Sequence, residues 1–118
     1  MAAKDVLGRR GEDLAVQYLE QRGLIVLSRN WRCREGEVDV VATDRQRLVV
    51  CEVKTRSGER FGRPAEAVDA RKAARIRRIT QAWLAAHRVR WCEVRFDVLA
   101  VVAEPGEPVA VQHYEAAF

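Results

Sequence analysis

Cysteine is scarce in this chain and poorly placed for structural chemistry. The 118 residues hold three, Cys33, Cys51 and Cys92, an odd number with wide gaps and no CxxC pair. That spacing argues against a disulfide framework and against a zinc site, and suits a reducing cytosol. Histidine is scarcer still: His87 and His113 have no partner at ligand spacing, so both are expected to be structural. No apolar run approaches membrane-spanning length. The N-terminal residues carry charge at Lys4, Asp5, Arg9 and Arg10 with no apolar h-region, so neither secretion nor membrane insertion is expected, and the expected location is cytoplasmic. Repeats, linkers and low-complexity tracts are missing too. What remains is a globular composition, 48% hydrophobic and 32% charged. The length fits one domain spanning residues 1–118, and such a domain buries roughly two thirds of its unfolded surface, enough to fold without a disulfide or metal staple.

The net charge of +4 is mild, but its distribution is uneven. Between Thr55 and Arg78 stand eight bases, Arg56, Arg60, Arg63, Arg71, Lys72, Arg75, Arg77 and Arg78, against Glu59, Glu66 and Asp69. The segment is net +5 and the remainder net −1. A localised basic surface suits a polyanion, although a solvated helix face accounts for the same run.

Periodicity predicts a helix over residues 8–22, with Gly23 as its C′ residue. A short strand follows from Leu24 to Leu27, able to continue through Trp31, and Glu35-Gly36 reads as a turn. Two strands come next, 37–43 and 48–54, joined by the polar loop Asp44-Arg45-Gln46-Arg47. Residues 55–65 read as loop. Glu66 to His87 reads as the longest helix, with an apolar stripe of Ile76, Ile79, Trp83 and Ala86, and with Arg71, Arg75 and Arg78 on another face. Val94 to Val102 is a buried strand, and Val109 to His113 a short last one. A strand-helix-strand unit predicts that 48–54 and 94–102 run parallel in one sheet.

Acids inside strands are the informative feature, because Asp and Glu are depleted there. Residues two apart share a strand face, so Glu37 lies with Asp39, and Glu52 with Lys54. If the loop 44–47 sets Thr43 opposite Leu48, Val41 faces Val50, Asp39 faces Glu52 and Glu37 faces Lys54. Opposed Cβ atoms stand about 4.5–5.5 Å apart. Two carboxylates at that distance repel unless a cation bridges them, and an oxygen-liganded divalent ion suits the task. A solvated polar sheet face with Lys54 paired to the acids fits the same spacing.

The chain also resembles the YraN-like uncharacterised bacterial family over nearly its whole length. The matching residues are Gly8-Arg9-Arg10-Gly11-Glu12, Tyr18-Leu19, Arg29-Asn30 and Gly36-Glu37-Val38-Asp39-Val40-Val41-Ala42. They continue with Val50-Cys51-Glu52-Val53-Lys54-Thr55-Arg56, Phe61-Gly62 with Pro64, Glu66-Ala67-Val68 and Arg95-Phe96-Asp97-Val98. That family is similar to the restriction-endonuclease-like, or PD-(D/E)xK, superfamily and to archaeal Holliday-junction resolvases. The resemblance implies an α/β fold with a central mixed sheet of four to five strands flanked by helices. It maps the acid-then-ExK pattern onto Asp39, Glu52 and Lys54, with Val38 where the superfamily's proline stands. It maps the resolvases' helix acid onto Glu12. It also implies DNA as the partner ahead of RNA, branched DNA among the substrates, and a homodimer.

The expected chemistry is phosphodiester hydrolysis. Asp39, Glu52 and the backbone carbonyl of Val53 are expected to hold Mg²⁺ or Mn²⁺, with Lys54 stabilising developing charge. Arg56, Arg71, Arg75 and Arg78 are expected to hold the sugar-phosphate backbone without reading sequence. Glu12 has two readings: a first-turn acid favoured by the helix dipole, or a fourth site member turned over the sheet. Glu37 sits near a strand end and is the weaker ligand candidate. Asp97 is expected to be structural, paired with an arginine. A nucleic-acid-binding module without turnover, or a subunit of a DNA-processing assembly, remains the competing class.

Overall fold

The computed structural model describes residues 3–56 and 68–118, with side chains described from Gly8 onward. Five strands and two helices follow in the order α1 (Ala3–Gln21), β1 (Ile25–Cys33), β2 (Gly36–Thr43), β3 (Leu48–Arg56), α2 (Ala70–Ala86), β4 (Val94–Val102) and β5 (Ala110–Tyr114). One sheet holds the strands in chain order, β1-β2-β3-β4-β5. Neighbours are antiparallel except β3 and β4, which run parallel across the α2 crossover, as the sequence predicts. The fold is α/β, a five-stranded mixed open sheet with two helices, compatible with a restriction-endonuclease-like architecture.

The two helices cover opposite faces. Alternation along β3 sends Leu48 and Val50 to one side, where they pack with Ala73, Ile76, Ile79, Trp83 and Leu84 of α2. It sends Val49 and Cys51 to the other, where they meet Ala15 and Leu19 of α1. Both faces of the central strands are therefore dry, which is why they read as near-continuous apolar runs. Full burial of a side chain such as Ile79 or Leu19 is worth about 1.5–3 kcal/mol. Trp83 also donates its indole N–H to Ser28 Oγ at 2.9 Å, tying α2 to β1.

Several predicted boundaries shift. Helix α1 begins at Ala3 rather than at residue 8; Gly8 and Gly11, weak helix formers, lie inside it and hid its first turns. Strand β1 runs on to Cys33, past Asn30, which adopts φ 51° within it. Helix α2 begins at Ala70 because Asp69 caps it, its carboxylate accepting the Lys72 N–H at 2.8 Å. Glu66, Ala67 and most of the predicted 55–65 loop lie outside the described residues, while Thr55 and Arg56 extend β3. Ala86 is exposed, and Ala73, Thr80 and Leu84 complete the buried face of α2 instead.

Candidate active site

The β2–β3 hairpin has the expected register, Thr43 opposite Leu48 and Val41 opposite Val50, but its ladder ends at Val40 opposite Cys51. Beyond that pair, side chains take over from the backbone. Asp39 Oδ2 accepts the Val53 N–H at 2.8 Å. Glu52 Oε2 accepts the Asp39 N–H at 3.4 Å, a weak contact. The strand alternation also slips here: Val38 joins the core under α2 and Val40 the core under α1, although strict alternation would put both on one face. The two carboxylates meet as expected, but in a gap opened between the strands rather than as a cross-strand pair. The ladder stops short of the expected Glu37–Lys54 pair, and the Glu37 carboxylate is held by Arg32 at 3.2 Å.

Electrostatically the acids are under load. Burial, and then the charge of Glu52, raise the Asp39 carboxyl to about 7, against the opposing pull of the Val53 N–H. Glu52 itself is only 4% exposed. One of its oxygens meets Lys72 Nζ of α2 at 3.2 Å. Sequence reasoning placed Lys72 only in the basic run; the Asp69 cap, which sets the phase of α2, is the signal that could have turned it toward the sheet. Lys54 lies beside Lys72 and shares a hydrogen bond with it. Burial, and then this neighbour, lower the Lys54 ammonium from its usual range. Burial works against the Lys72 charge as well, but Lys54 and Glu52 hold it above the usual lysine value.

Glu12 belongs to this neighbourhood, and not for the dipole reason. With α1 starting at Ala3, Glu12 lies in the helix interior, beyond reach of the N-terminal partial charge. Its side chain turns toward the sheet: Oε1 is shut off from solvent and accepts no hydrogen bond among the described residues. Burial, and then the charge of Asp39, raise its carboxyl, while Arg29 and Asn30 pull the other way. An orphaned carboxylate oxygen inside a protein calls for a proton, a water or a cation.

Among the described residues, no three His, Cys, Asp or Glu side chains converge as a ready metal cage. Asp39 and Glu52 instead offer a pair. The N–H and C=O of one strand residue point to the same edge, so the Val53 carbonyl turns to the side on which Asp39 meets its N–H. Two carboxylates and a carbonyl fit Mg²⁺, which keeps several waters and takes further oxygens from substrate phosphate.

The arginines divide. Arg71 and Arg75 are exposed on α2, Arg71 next in sequence to Lys72 and Arg75 one turn on, where its Cδ would lie 3.7 Å from a Cβ at Gly36. Arg78 stands about 9 Å further along the helix than Lys72 and pairs with Glu35 in the β1–β2 turn at 3.1 Å. Arg56 closes β3 and its carbonyl accepts the Ala103 N–H. Asp97 is fully buried and committed elsewhere. It accepts from Arg95 at 2.8 Å and from the Ala116 N–H at 3.0 Å, and lies 2.7 Å from His113 Nε2. Burial opposes its charge, but His113, Arg95 and Ala116 outweigh burial and hold the carboxyl below its usual range. His87 stacks on Trp83, and His113 is held against Asp97.

The comparisons with other proteins are uniform. The sequence profile of the Uncharacterised protein family UPF0102 matches residues 11–101. A UPF0102 protein of Frankia alni is 57% identical over 118 residues, covering 100% of this chain and 98% of its own length. One from Kineococcus radiotolerans is 54% identical, covering 94% and 92%. One from Acidothermus cellulolyticus is 47% identical, covering 99% and 96%. Residues 11–101 take in Glu12, Asp39, Glu52, Lys54 and Lys72, so the acid pair and its two lysines lie wholly within the matched region, and the chain belongs to the UPF0102, or YraN-like, family.

Proposed function

We propose that this protein is a divalent-metal-dependent nuclease that hydrolyses phosphodiester bonds, with DNA ahead of RNA as substrate. The observation that carries the proposal is the meeting of Asp39 and Glu52 in a gap of the sheet with Lys54 and Lys72 beside them. A binding protein gains nothing from packing two carboxylates together, and the arrangement costs it stability. Asp39, Glu52 and the Val53 carbonyl would hold Mg²⁺ or Mn²⁺, with Glu12 able to bind an outer water. The bound ion supplies charge neutralisation on the phosphate and a more acidic water. Lys54, the amine with the weakened hold on its proton, positions the attacking water or stabilises charge on the phosphoryl oxygens. Arg71 and Arg75 flank the site and hold the backbone on either side of the cut.

The Lys72–Glu52 ion pair favours a second reading, a nucleic-acid-binding module without turnover, because the lysine already balances one carboxylate. Incubation with linear, flapped and four-way-junction DNA and with RNA, in Mg²⁺ and in Mn²⁺, separates the two. The nuclease reading expects cutting of at least one substrate that Asp39→Ala and Glu52→Ala abolish while binding persists. Equal cutting by purified Asp39→Ala would remove the catalytic assignment.

A further inference from the structure

Away from the acid pair, the segment leaving α2 presents an unusual surface. Arg88, Val89, Arg90 and Trp91 are all exposed, and Trp91 is 88% exposed. The next most exposed large hydrophobic among the described residues, Leu27, shows 47%. A tryptophan indole in water forfeits more than any other side chain could gain by packing. Trp91 stands at an open groove of about 470 Å³ whose walls include Arg77, Arg78, Leu84 and Phe96. The guanidinium of Arg77 lies over the Phe96 ring, 5.2 Å from its centre. The one acid in the wall among the described residues, Glu93, has Arg47 at 3.8 Å.

Planar apolar faces interleaved with arginines suit one ligand chemistry above others: unpaired nucleobases stacked on the aromatic, with their phosphates on the guanidinium groups. Duplex DNA hides its base faces and has no use for Trp91. A neutral apolar peptide would leave Arg77, Arg88 and Arg90 without an anion, Arg78 already having Glu35. The groove also lies at a useful distance. Val98 pairs with Glu52 and Val94 with Leu48 on the neighbouring strand, so the groove at Val94 lies about 13 Å along the sheet from the acid level. Lys72 to Gln81, measured along α2, gives a similar ~14 Å. At about 3.4 Å per stacked nucleotide, either path spans about four nucleotides.

We infer that the groove between α2 and the 88–93 segment is a single-strand subsite, in which Trp91 stacks an unpaired base about four nucleotides from the phosphate held at Asp39 and Glu52. The inference rests on the nuclease reading for the second position alone; the stacking itself does not require cutting. Substrates with an unpaired flank, such as flaps, gaps or frayed junctions, are then preferred over continuous duplex.

The test is a binding titration in chelator, where no cleavage occurs, using a twenty-nucleotide single-stranded DNA, the matching RNA and a duplex of equal length. Wild type should bind one of the single strands with quenching of its tryptophan fluorescence. Trp91→Ala should lose most of the quenching and bind that strand about 5- to 150-fold more weakly, the loss of one base stack. Trp91→Phe should restore most of the affinity, and duplex affinity and thermal stability should stay unchanged in both variants. Equal single-strand affinity in Trp91→Ala and wild type overturns the subsite. So does a Trp91→Ala that merely converts a dimer to a monomer in sedimentation with binding intact, which would make the surface a contact between copies. A protein that never cuts DNA yet shows the Trp91-dependent affinity loses the nuclease reading and keeps the subsite.

Discussion

Asp39 carries the cost of the site and makes it measurable. Its carboxyl is raised above the value of an unfolded chain, so the folded protein binds a proton more tightly than the unfolded one. Stability from this group is present below the unfolded value near 4 and is lost as pH rises through about 7. The full loss is on the order of a few kcal/mol. Asp39→Asn removes the repulsion while its amide oxygen can still accept the Val53 N–H. In chelator at pH 8 the variant should melt higher than wild type, by several degrees for each kcal/mol gained. Millimolar Mg²⁺ or Mn²⁺ should raise the wild-type melting temperature and leave the variant's nearly unchanged. Equal melting in all four conditions would remove both the stored repulsion and the metal site. Asp97 titrates in the opposite sense: its lowered carboxyl contributes stability above the unfolded value, and that contribution is lost as pH falls through the still lower folded one. Asp97→Ala leaves the Arg95 guanidinium with only the longer contact to Glu115 at 3.6 Å and should destabilise the protein by about 3 kcal/mol, as seen by urea denaturation.

At the scale of elements, the site depends on how closely α1 approaches the sheet. A Cβ placed on Gly11 would stand 3.2 Å from Thr55 Cβ and 3.3 Å from Thr55 Cγ2, tighter than packing tolerates. The absence of a side chain at 11 lets α1 lie against β3, and Glu12 is the next residue. Gly11→Ala should therefore push the helix outward, costing about 1–3 kcal/mol in denaturant unfolding, and should weaken Mg²⁺ binding more than a distant substitution of equal cost. The sequence made the β2–β3 register legible, because the four polar residues 44–47 bound the loop and set Thr43 opposite Leu48. It also made the parallel β3–β4 pairing legible through the helix between them. It did not disclose the irregularity at Asp39 or the left-handed Asn30 in β1, since both arise from interactions between strands. Glu12 was legible as a candidate that could turn over the sheet; it is the competing dipole reading that fails, because α1 begins at Ala3.

Over the whole molecule, charge is arranged with both lysines of the site and the exposed arginines of α2 on one side of the sheet. Among the described residues α2 supplies the helical part of this layer, so its register decides what the acids meet. The basic run was visible in composition, but which of its members touch acid was not: Lys72 turns inward to Glu52 while Arg71 and Arg75 turn out. Nucleic-acid affinity should follow counterion release, with log K falling linearly against log salt. Arg71→Glu with Arg75→Glu should weaken binding to all sequences alike and reduce the slope by about one unit for each phosphate no longer neutralised. An unchanged slope would move the binding surface elsewhere. No helix among the described residues is long and apolar enough to cross a membrane.

The bond from the Val53 amide to Asp39 Oδ2 has a spectroscopic consequence. Most sheet amides donate to a carbonyl, whose charge never changes; this one donates to a group that ionises. Its proton resonance is therefore an indicator of the state of the site, readable without substrate, metal or label. In a pH series of amide NMR spectra the Val53 peak should travel with a midpoint near the Asp39 value of about 7. In Asp39→Asn it should stand still, and in wild type a saturating divalent ion should fix it at the position of the ionised form.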